Sequence, residues 1–300
     1  MKQAVNLRRF EPASDLVAIA MATPATLEKH DPAAANVQIY TIPPSLCSQR
    51  VRMTLLEKNI PYVEHVVSLA KGENLTPDYL AINPRGLVPS MTFDDRSLFD
   101  SATIMRFANN WFTGPELAPS DPVAVAAMNS WIDRSDDFPV RGFTYRSHLA
   151  SGHPDYWRVA MHDNVVRARE LYPEFSEVYD LKLRDWHDLA DWLQSPRDSQ
   201  EGEAIAEAMA DDAEAALRAN PFLVGDAISL ADISVFILFI RLQCACDVTL
   251  WSTTMRPHLH RWAETIKTRP SYDGAVLEPY RSTGLVQMSG DCWQPGVRAA

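Results

Sequence analysis

Two hydroxyls and a thiol lie close together in the run Ser45-Leu46-Cys47-Ser48-Gln49-Arg50-Val51-Arg52. The run follows a strand-like segment, Val37-Gln38-Ile39-Tyr40, and opens an amphipathic helical pattern. A strand therefore ends and a helix begins where Ser45, Cys47 and Ser48 stand. The first turn of a helix presents unpaired backbone N–H groups and the positive end of its dipole. Such a place suits a thiolate, either the protein's own or one on a bound ligand. Of the flanking cations, Arg50 and Arg52 are two residues apart and cannot share one helix face. At most one of them, with Arg50 the candidate, reaches a substrate cavity, and the other is expected at a surface or interface.

The elements that must hold these residues read in order along the chain. Val37–Tyr40 is a strand, Gln49–Lys58 a helix, and Tyr62–Val67 a strand after the Asn59-Ile60-Pro61 break. Pro77–Ala81 is a short helix ending at Asn83-Pro84. Pro89–Phe93 and Ser97–Phe99 are strands around the turn Asp94-Asp95-Arg96-Ser97, and Ser101–Asn110 has helical spacing. This order, β-α-β then α-β-β-α, describes a small mixed sheet of thioredoxin type. Trp111–Pro122 is rich in Gly, Pro and polar residues and marks a boundary.

Beyond the boundary the patterns are helical: Val123–Asp137, Tyr156–Leu171, Phe175–Leu193, Glu201–Ala219, Ala231–Cys244 and Pro257–Thr268, with Pro196–Gly202 as a polar connection. Ser229-Leu230-Ala231-Asp232 is a capping box with Asp in the usual Glu position, and it introduces the most apolar helix. The fold class expected is therefore α/β plus all-α. The divisions are an N-terminal extension over 1–36, a sheet domain over 37–113, a helical domain over 121–280 and a tail over 281–300. Arg141, Tyr145, Arg146 and His148 cluster after Phe138-Pro139, with surface and substrate roles both open. His153 and His162 carry no interpretable spacing, and Trp186 and Trp192 read as core.

Composition narrows the field. At 300 residues with 46% hydrophobic and 22% charged residues, the chain can bury a sizeable core. A formal net charge of −11 argues against nucleic acid as a partner while leaving room for a small anionic substrate near clustered arginines. Four cysteines do not make a disulfide framework; Cys244 and Cys246 read as small buried hydrophobes, and a reducing, cytoplasmic setting is expected. No ligand spacing for a metal is present. The apolar patch Leu16–Met21 is short and follows Glu11 and Asp15, unlike a secretion signal, and Ile233–Ile240 is too short to span a membrane.

These features resemble the cytosolic glutathione transferases. The residues that carry the resemblance are the Ser45–Arg52 run, Asn83-Pro84-Arg85-Gly86-Leu87-Val88-Pro89, the Asp100-Ser101 pair, and Gly225-Asp226 through Asp232. They cover roughly residues 37–280. The first run looks most like the zeta class, the maleylacetoacetate isomerases; the longer middle, including Tyr172-Pro173-Glu174, looks more like tetrachlorohydroquinone dehalogenase.

The resemblance implies a thioredoxin-like domain followed by a helical one, a two-fold homodimer, and glutathione as the bound thiol. It implies that Val88 pairs with the extended tripeptide through its backbone, beside a cis bond to Pro89. Asp100 and Ser101 meet the γ-glutamyl end, as an ion-pair partner of the ammonium and as a carboxylate site at a helix start. Asp is shorter than the Glu or Gln the family more often has there.

In the same reading Ser45 donates to the glutathione sulfur and lowers its pKa. Ser45, Cys47 and Ser48 compete for the catalytic role in this reading; Cys47 is a secondary nucleophile or an inert neighbour, and Ser48 is also a candidate cap of the helix. Arg141, Tyr145 and Arg146 fall where this fold builds its acceptor pocket. The activity first expected is glutathione-dependent cis–trans isomerisation of an unsaturated carboxylate from aromatic ring cleavage. Reductive dehalogenation of a hydroxylated aromatic, general conjugation and a non-enzymatic binding module are the alternatives.

Overall fold

The computed structural model describes residues 14–22, 28–94, 96–150, 156–246, 248–283, 286–289 and 292–295. The remainder of the 1–36 extension, the tail beyond Pro295, Asp95 of the expected turn, and His153 lie outside the described residues, as does the side chain of His148. The described chain groups into two compact units. One comprises Met1–Val51, Ile60–Thr113 and Pro154–Asp188, the other Arg52–Asn59, Gly114–His153 and Leu189–Ala300.

The first unit is built on four short strands, β1 (Gln38–Thr41), β2 (Val63–Val66), β3 (Ser90–Phe93) and β4 (Arg96–Phe99), in the order β2-β1-β3-β4. β1 runs parallel to β2 and antiparallel to β3, and β3 is antiparallel to β4, so the sheet is mixed as expected. Alternation explains β1: Ile39 and Thr41 are buried while Gln38 and Tyr40 are only half-buried. Helix α1 (Ser14–Met21) precedes the sheet, and α2 (Leu46–Glu57) follows β1. α3 (Pro77–Ile82) starts at the Thr76 cap with Pro77 in the first turn, and α4 (Ser101–Trp111) follows β4.

The extension is folded where it is described. Leu16 of α1 is fully buried, and the Asn110 amide donates to the carbonyls of Ile19 at 3.0 Å and Ala22 at 3.0 Å, closing the helix C-terminus. His30 stacks on Trp111 with ring centroids 3.9 Å apart. Helix α7 (Tyr156–Leu171) and most of α8 (Ser176–Gln194) also belong to this unit.

The second unit contains α5 (Pro122–Asp136), α6 (Val140–Ala150), α9 (Pro196–Ala219), α10 (Leu230–Ala245) and α11 (Pro257–Lys267). The polar stretch 196–202, expected as a connection, is instead the first two turns of α9. Ser195 accepts from the Asp198 N–H at 3.2 Å, and Pro196 needs no N–H partner at the first helical position. A charged, solvated face hid its periodicity. α6 was likewise unforeseen as a helix; it meets Gly202, where an added Cβ would lie 2.6 Å from the Phe143 ring.

α10 is apolar all round and almost wholly buried, as its sequence required. Its capping box is formed. The Ser229 N–H and hydroxyl donate to Asp232 at 2.9 and 2.6 Å, while Leu223 N–H and Trp262 Nε1 donate to the other carboxylate oxygen, both at 2.9 Å. Cys244 and Cys246 are buried as expected, but Cys244 is disulfide-bonded, so reading it only as a small hydrophobe was wrong. Cys47 is a free thiol, and Cys246 is not disulfide-bonded. Among the described residues no helix is long and apolar enough to cross a membrane, and no group of His, Cys, Asp and Glu could hold a metal ion.

Candidate active site

The start of α2 follows directly from Pro43-Pro44-Ser45. Two prolines deny the chain helical N–H donors, the turn over them is closed by the Ser45 N–H on the Ile42 carbonyl at 3.1 Å, and Ser45 then caps the helix. Its Oγ accepts from the Ser48 N–H at 3.2 Å. The cap is therefore Ser45 and not Ser48, and the helix begins three residues earlier than the expected Gln49, at Leu46. Ser48 is fully buried, and its Oγ accepts from the Ile42 N–H at 3.4 Å. It braces the strand-to-helix turn from inside, so its expected catalytic role is corrected to a structural one.

Ser45 and Cys47 are half-buried and reachable. A hydroxyl carries one donor and two acceptor positions. Because Ser45 accepts from Ser48, its own proton stays available for an outside acceptor. Among the described residues the N–H groups of Leu46 and Cys47 also have no partner. The helix start thus offers a hydroxyl donor, two amide donors and a free thiol within one turn, a set suited to a sulfur anion.

The two arginines behave differently from the expectation. Arg50 is 1% exposed and Arg52 fully buried, with Arg52 Nη1 3.5 Å from the Ala275 carbonyl. Neither is a surface cation, and Arg50 has no face to offer a substrate. Spacing alone separated their faces but carried no information about how deeply α2 is enclosed.

Val88 and Pro89 stand just before β3, joined by a cis peptide bond, as the resemblance implied. Val88 is half-buried, and among the described residues neither its N–H nor its carbonyl is engaged. An extended peptide can pair there. Asp100 caps α4: its Oδ1 accepts from the Thr103 N–H at 3.0 Å and the Thr103 hydroxyl at 2.9 Å. Its backbone sits at φ +77°, a region costly for a non-glycine residue. Oδ2 remains open on an exposed side chain, so capping and ligand binding are compatible. Ser101, 5% exposed, follows at the first helical position.

Beneath Val88 lies a polar group that the sequence did not flag. The Tyr79 hydroxyl donates to the Leu87 carbonyl at 2.6 Å, and Asn83 Nδ2 donates to the same oxygen at 2.8 Å. Burial pushes the Tyr79 phenol up to about 12, so it stays a donor. Asn74 Nδ2 and Lys182 Nζ both reach the Gly86 carbonyl at 2.8 Å. Nothing in the sequence sets Tyr79 apart within its short helix, and Lys182 is far away in sequence; only the Asn83-Pro84 break hints at this group.

Arg141, Tyr145 and Arg146 lie on α6 in the second unit. Arg146 is committed to Glu203 at 2.8 Å and to the Ser199 hydroxyl, with its guanidinium 4.7 Å from the Phe143 ring centroid. Its expected substrate role gives way to a structural one. Arg141 is exposed and Tyr145 half-buried. Trp186 is buried as core, and Trp192 packs against Phe143 and over Gly142.

A thioredoxin-type sheet followed by a helical bundle, with a serine-capped helix start beside an open strand end, defines a protein built in the glutathione transferase manner. Residues 44–111 match the family model described as glutathione S-transferase, N-terminal domain, and residues 195–270 match the C-terminal domain of the same family. The chain belongs to the glutathione S-transferase superfamily.

Among relatives it is similar to the tetrachloro-p-hydroquinone reductive dehalogenase of Sphingobium chlorophenolicum, 26% identical over 83% of this chain and 99% of that protein. It is also similar to a probable maleylacetoacetate isomerase of Drosophila melanogaster, 32% identical over 40% of this chain and 50% of that one. In fold it resembles the beta-etherase LigF of Sphingobium sp. strain SYK-6, with a TM-score of 0.61 at 23% identity, covering 82% of this chain and 99% of that one.

Proposed function

We propose that this protein is an enzyme that binds glutathione in its first unit, with Ser45 activating the tripeptide's sulfur. The observation that carries this reading is the Ser45 hydroxyl, which accepts its helix-capping bond from Ser48 and so keeps its proton for a ligand. The free backbone of Val88, the open Oδ2 of Asp100 and Ser101 at the start of α4 fit the extended peptide and the zwitterionic γ-glutamyl end. Glutathione would supply a nucleophilic thiolate, and over a reductive cycle two electrons. Ser45 donates to that sulfur and favours its anion; the first turn of α2 adds the dipole.

For the second substrate, reductive thiolysis of a hydroxylated, halogenated aromatic is the reading with more support. The sequence favours isomerisation as the commoner metabolic need and rests it on the Ser45-Leu46-Cys47-Ser48 run and on one of the nearby cations, Arg50 or Arg52, meeting a substrate carboxylate. With both buried, that support is withdrawn. Cys47 remains a reachable free thiol two residues from Ser45.

In the proposed cycle glutathione sulfur displaces halide from the ring. The Cys47 thiolate then attacks the thioether sulfur; the arene leaves with the bonding pair and takes a proton, and Cys47 becomes a mixed disulfide with glutathione. A second glutathione thiolate attacks that disulfide, restoring Cys47 and releasing glutathione disulfide. Overall the aryl halide and two glutathiones give the reduced arene, hydrogen halide and one glutathione disulfide.

The experiment is turnover on halogenated hydroquinones with halide, thiol and product followed together. Halide release with two thiols oxidised per event, and accumulation of the glutathionyl aromatic in Cys47→Ser, are expected. Full turnover by Cys47→Ser would remove the mechanism. The likeness of 40% of this chain to a probable maleylacetoacetate isomerase keeps cis–trans isomerisation as the second reading; in that case a ring-cleavage dienoate is isomerised with free thiol unchanged.

A further inference from the structure

The peptide group that presents the Val88 N–H is held from behind with unusual completeness. The Leu87–Val88 peptide is trans, so its carbonyl and its N–H point in opposite directions from one plane. The carbonyl side is fixed by two side-chain donors, Tyr79 Oη at 2.6 Å and Asn83 Nδ2 at 2.8 Å. The preceding carbonyl, Gly86 O, is fixed by two more, Asn74 Nδ2 and Lys182 Nζ, both at 2.8 Å.

Donor and acceptor positions in the inner group close without remainder. The Tyr79 proton goes to Leu87 O, so Tyr79 Oη accepts from the Ser90 hydroxyl at 3.1 Å. The second Asn83 N–H goes to Ser90 Oγ, also at 3.1 Å. Tyr79 is 6% exposed, Asn83 1% and Ser90 fully buried, so none can exchange these partners for water. Gly86 itself sits at φ +57°, and a Cβ there would come within 2.9 Å of both the Asn74 carbonyl and Lys182 Cε. This close approach explains why glycine occupies the position.

We propose that Tyr79, Asn83, Asn74 and Lys182 form a clamp of positioning residues that aims the Val88 amide at the bound peptide. The clamp rests on the glutathione reading above and deepens it. With both acceptor positions of Leu87 O occupied by protein, the Val88 amide on the opposite edge of the same peptide plane is free, oriented and polarised as a donor. Lys182 brings a distant part of the chain into the device. It comes from α8, outside both stretches that match the family models, and so ties the long middle of the chain to the peptide-holding edge.

The test uses the full chain and glutathione itself, by calorimetry and by NMR of the Leu87 carbonyl carbon and Val88 amide nitrogen. Tyr79→Phe removes one hydroxyl and keeps the ring. It is expected to weaken glutathione binding about fivefold, the size of one hydrogen bond's positioning effect. It should move the Leu87 and Val88 resonances while leaving the Thr103 amide in place. Lys182→Met, with Asn74 still on Gly86 O, should weaken binding about twofold by the same reasoning.

A merely structural Tyr79 would lower the melting temperature and leave the glutathione Kd unchanged; that result overturns the clamp. Unmoved Leu87 and Val88 resonances in Tyr79→Phe overturn it whether or not glutathione binds. Absence of glutathione binding by the wild-type chain overturns the glutathione reading instead, and with it the ligand-aiming role of the clamp.

Discussion

The serine-capped starts of α10 and α2 differ in what their hydroxyls do, and the contrast between them separates function from architecture. At the start of α10, Ser229 donates its proton to Asp232 at 2.6 Å and is 2% exposed. Asp232 is fully buried, and every bond it accepts comes from within the second unit. Burial raises the pKa of its carboxyl, against the lowering effect of those bonds. At the start of α2, Ser45 accepts from Ser48 and keeps its proton, the next two amides are open, and a free thiol stands beside them. A closed cap is a device for stability. An open cap is a device for binding an anion, because its donors have no partner until a ligand arrives.

The largest expected effect comes from breaking the closed cap. Asp232→Ala strands four donors in a dry interior and should cost about 4 kcal/mol, enough to unfold the second unit at moderate temperature. Denaturant unfolding followed by tryptophan fluorescence reads this directly, since Trp262 is one of the stranded donors. A loss below about 1 kcal/mol would mean that water reaches the site.

The open cap should respond in the opposite way. Ser45→Ala is expected to lower kcat/KM with glutathione about 10- to 100-fold, while costing only about 1 kcal/mol of stability through the lost cap. Steady-state kinetics paired with a melting curve separates the two. Ser229→Ala sharpens the contrast: a stability loss of about 1–2 kcal/mol with kcat/KM of the folded enzyme unchanged.

The smallest effect is expected at the third helix start. Asp100→Asn keeps an oxygen for the Thr103 N–H, so the fold should hold within about 0.5 kcal/mol. The lost negative charge should weaken glutathione binding about three- to tenfold, because the ligand's ammonium loses its partner. Calorimetry at two salt concentrations checks the charge component.

Much of the first unit was legible because its signals are local. Alternating burial in β1, the Thr76-Pro77 helix start and the Asp100-Ser101 pair each declare themselves within a few residues. The capping box at Ser229 is equally local, and α10 is apolar over its whole length. The start of α2 was misplaced because Ser45 and Ser48 are chemically interchangeable as caps, and only the two prolines before Ser45 decide between them.

What stayed hidden depends on partners distant in the chain. Arg50 reads as a substrate cation and Arg52 as a surface or interface cation until the burial of both is seen. Arg146 reads as a ligand for an anion until Glu203 and Ser199 claim it. Lys182 meets Gly86 across a sequence separation of 96 residues, and Asn110 closes α1 across about 90. No periodicity reports such contacts.

The central claim is that the unused proton of Ser45 stabilises a thiolate on bound glutathione. The most direct measurement is the ultraviolet thiolate absorbance of the protein–glutathione complex as a function of pH, in wild type and in Ser45→Ala. The wild-type midpoint should fall clearly below that of a free thiol, about 8.5, and Ser45→Ala should return it toward that value. A midpoint that is already low and unmoved by Ser45→Ala would contradict the account and shift the role to Cys47 or to the helix start alone.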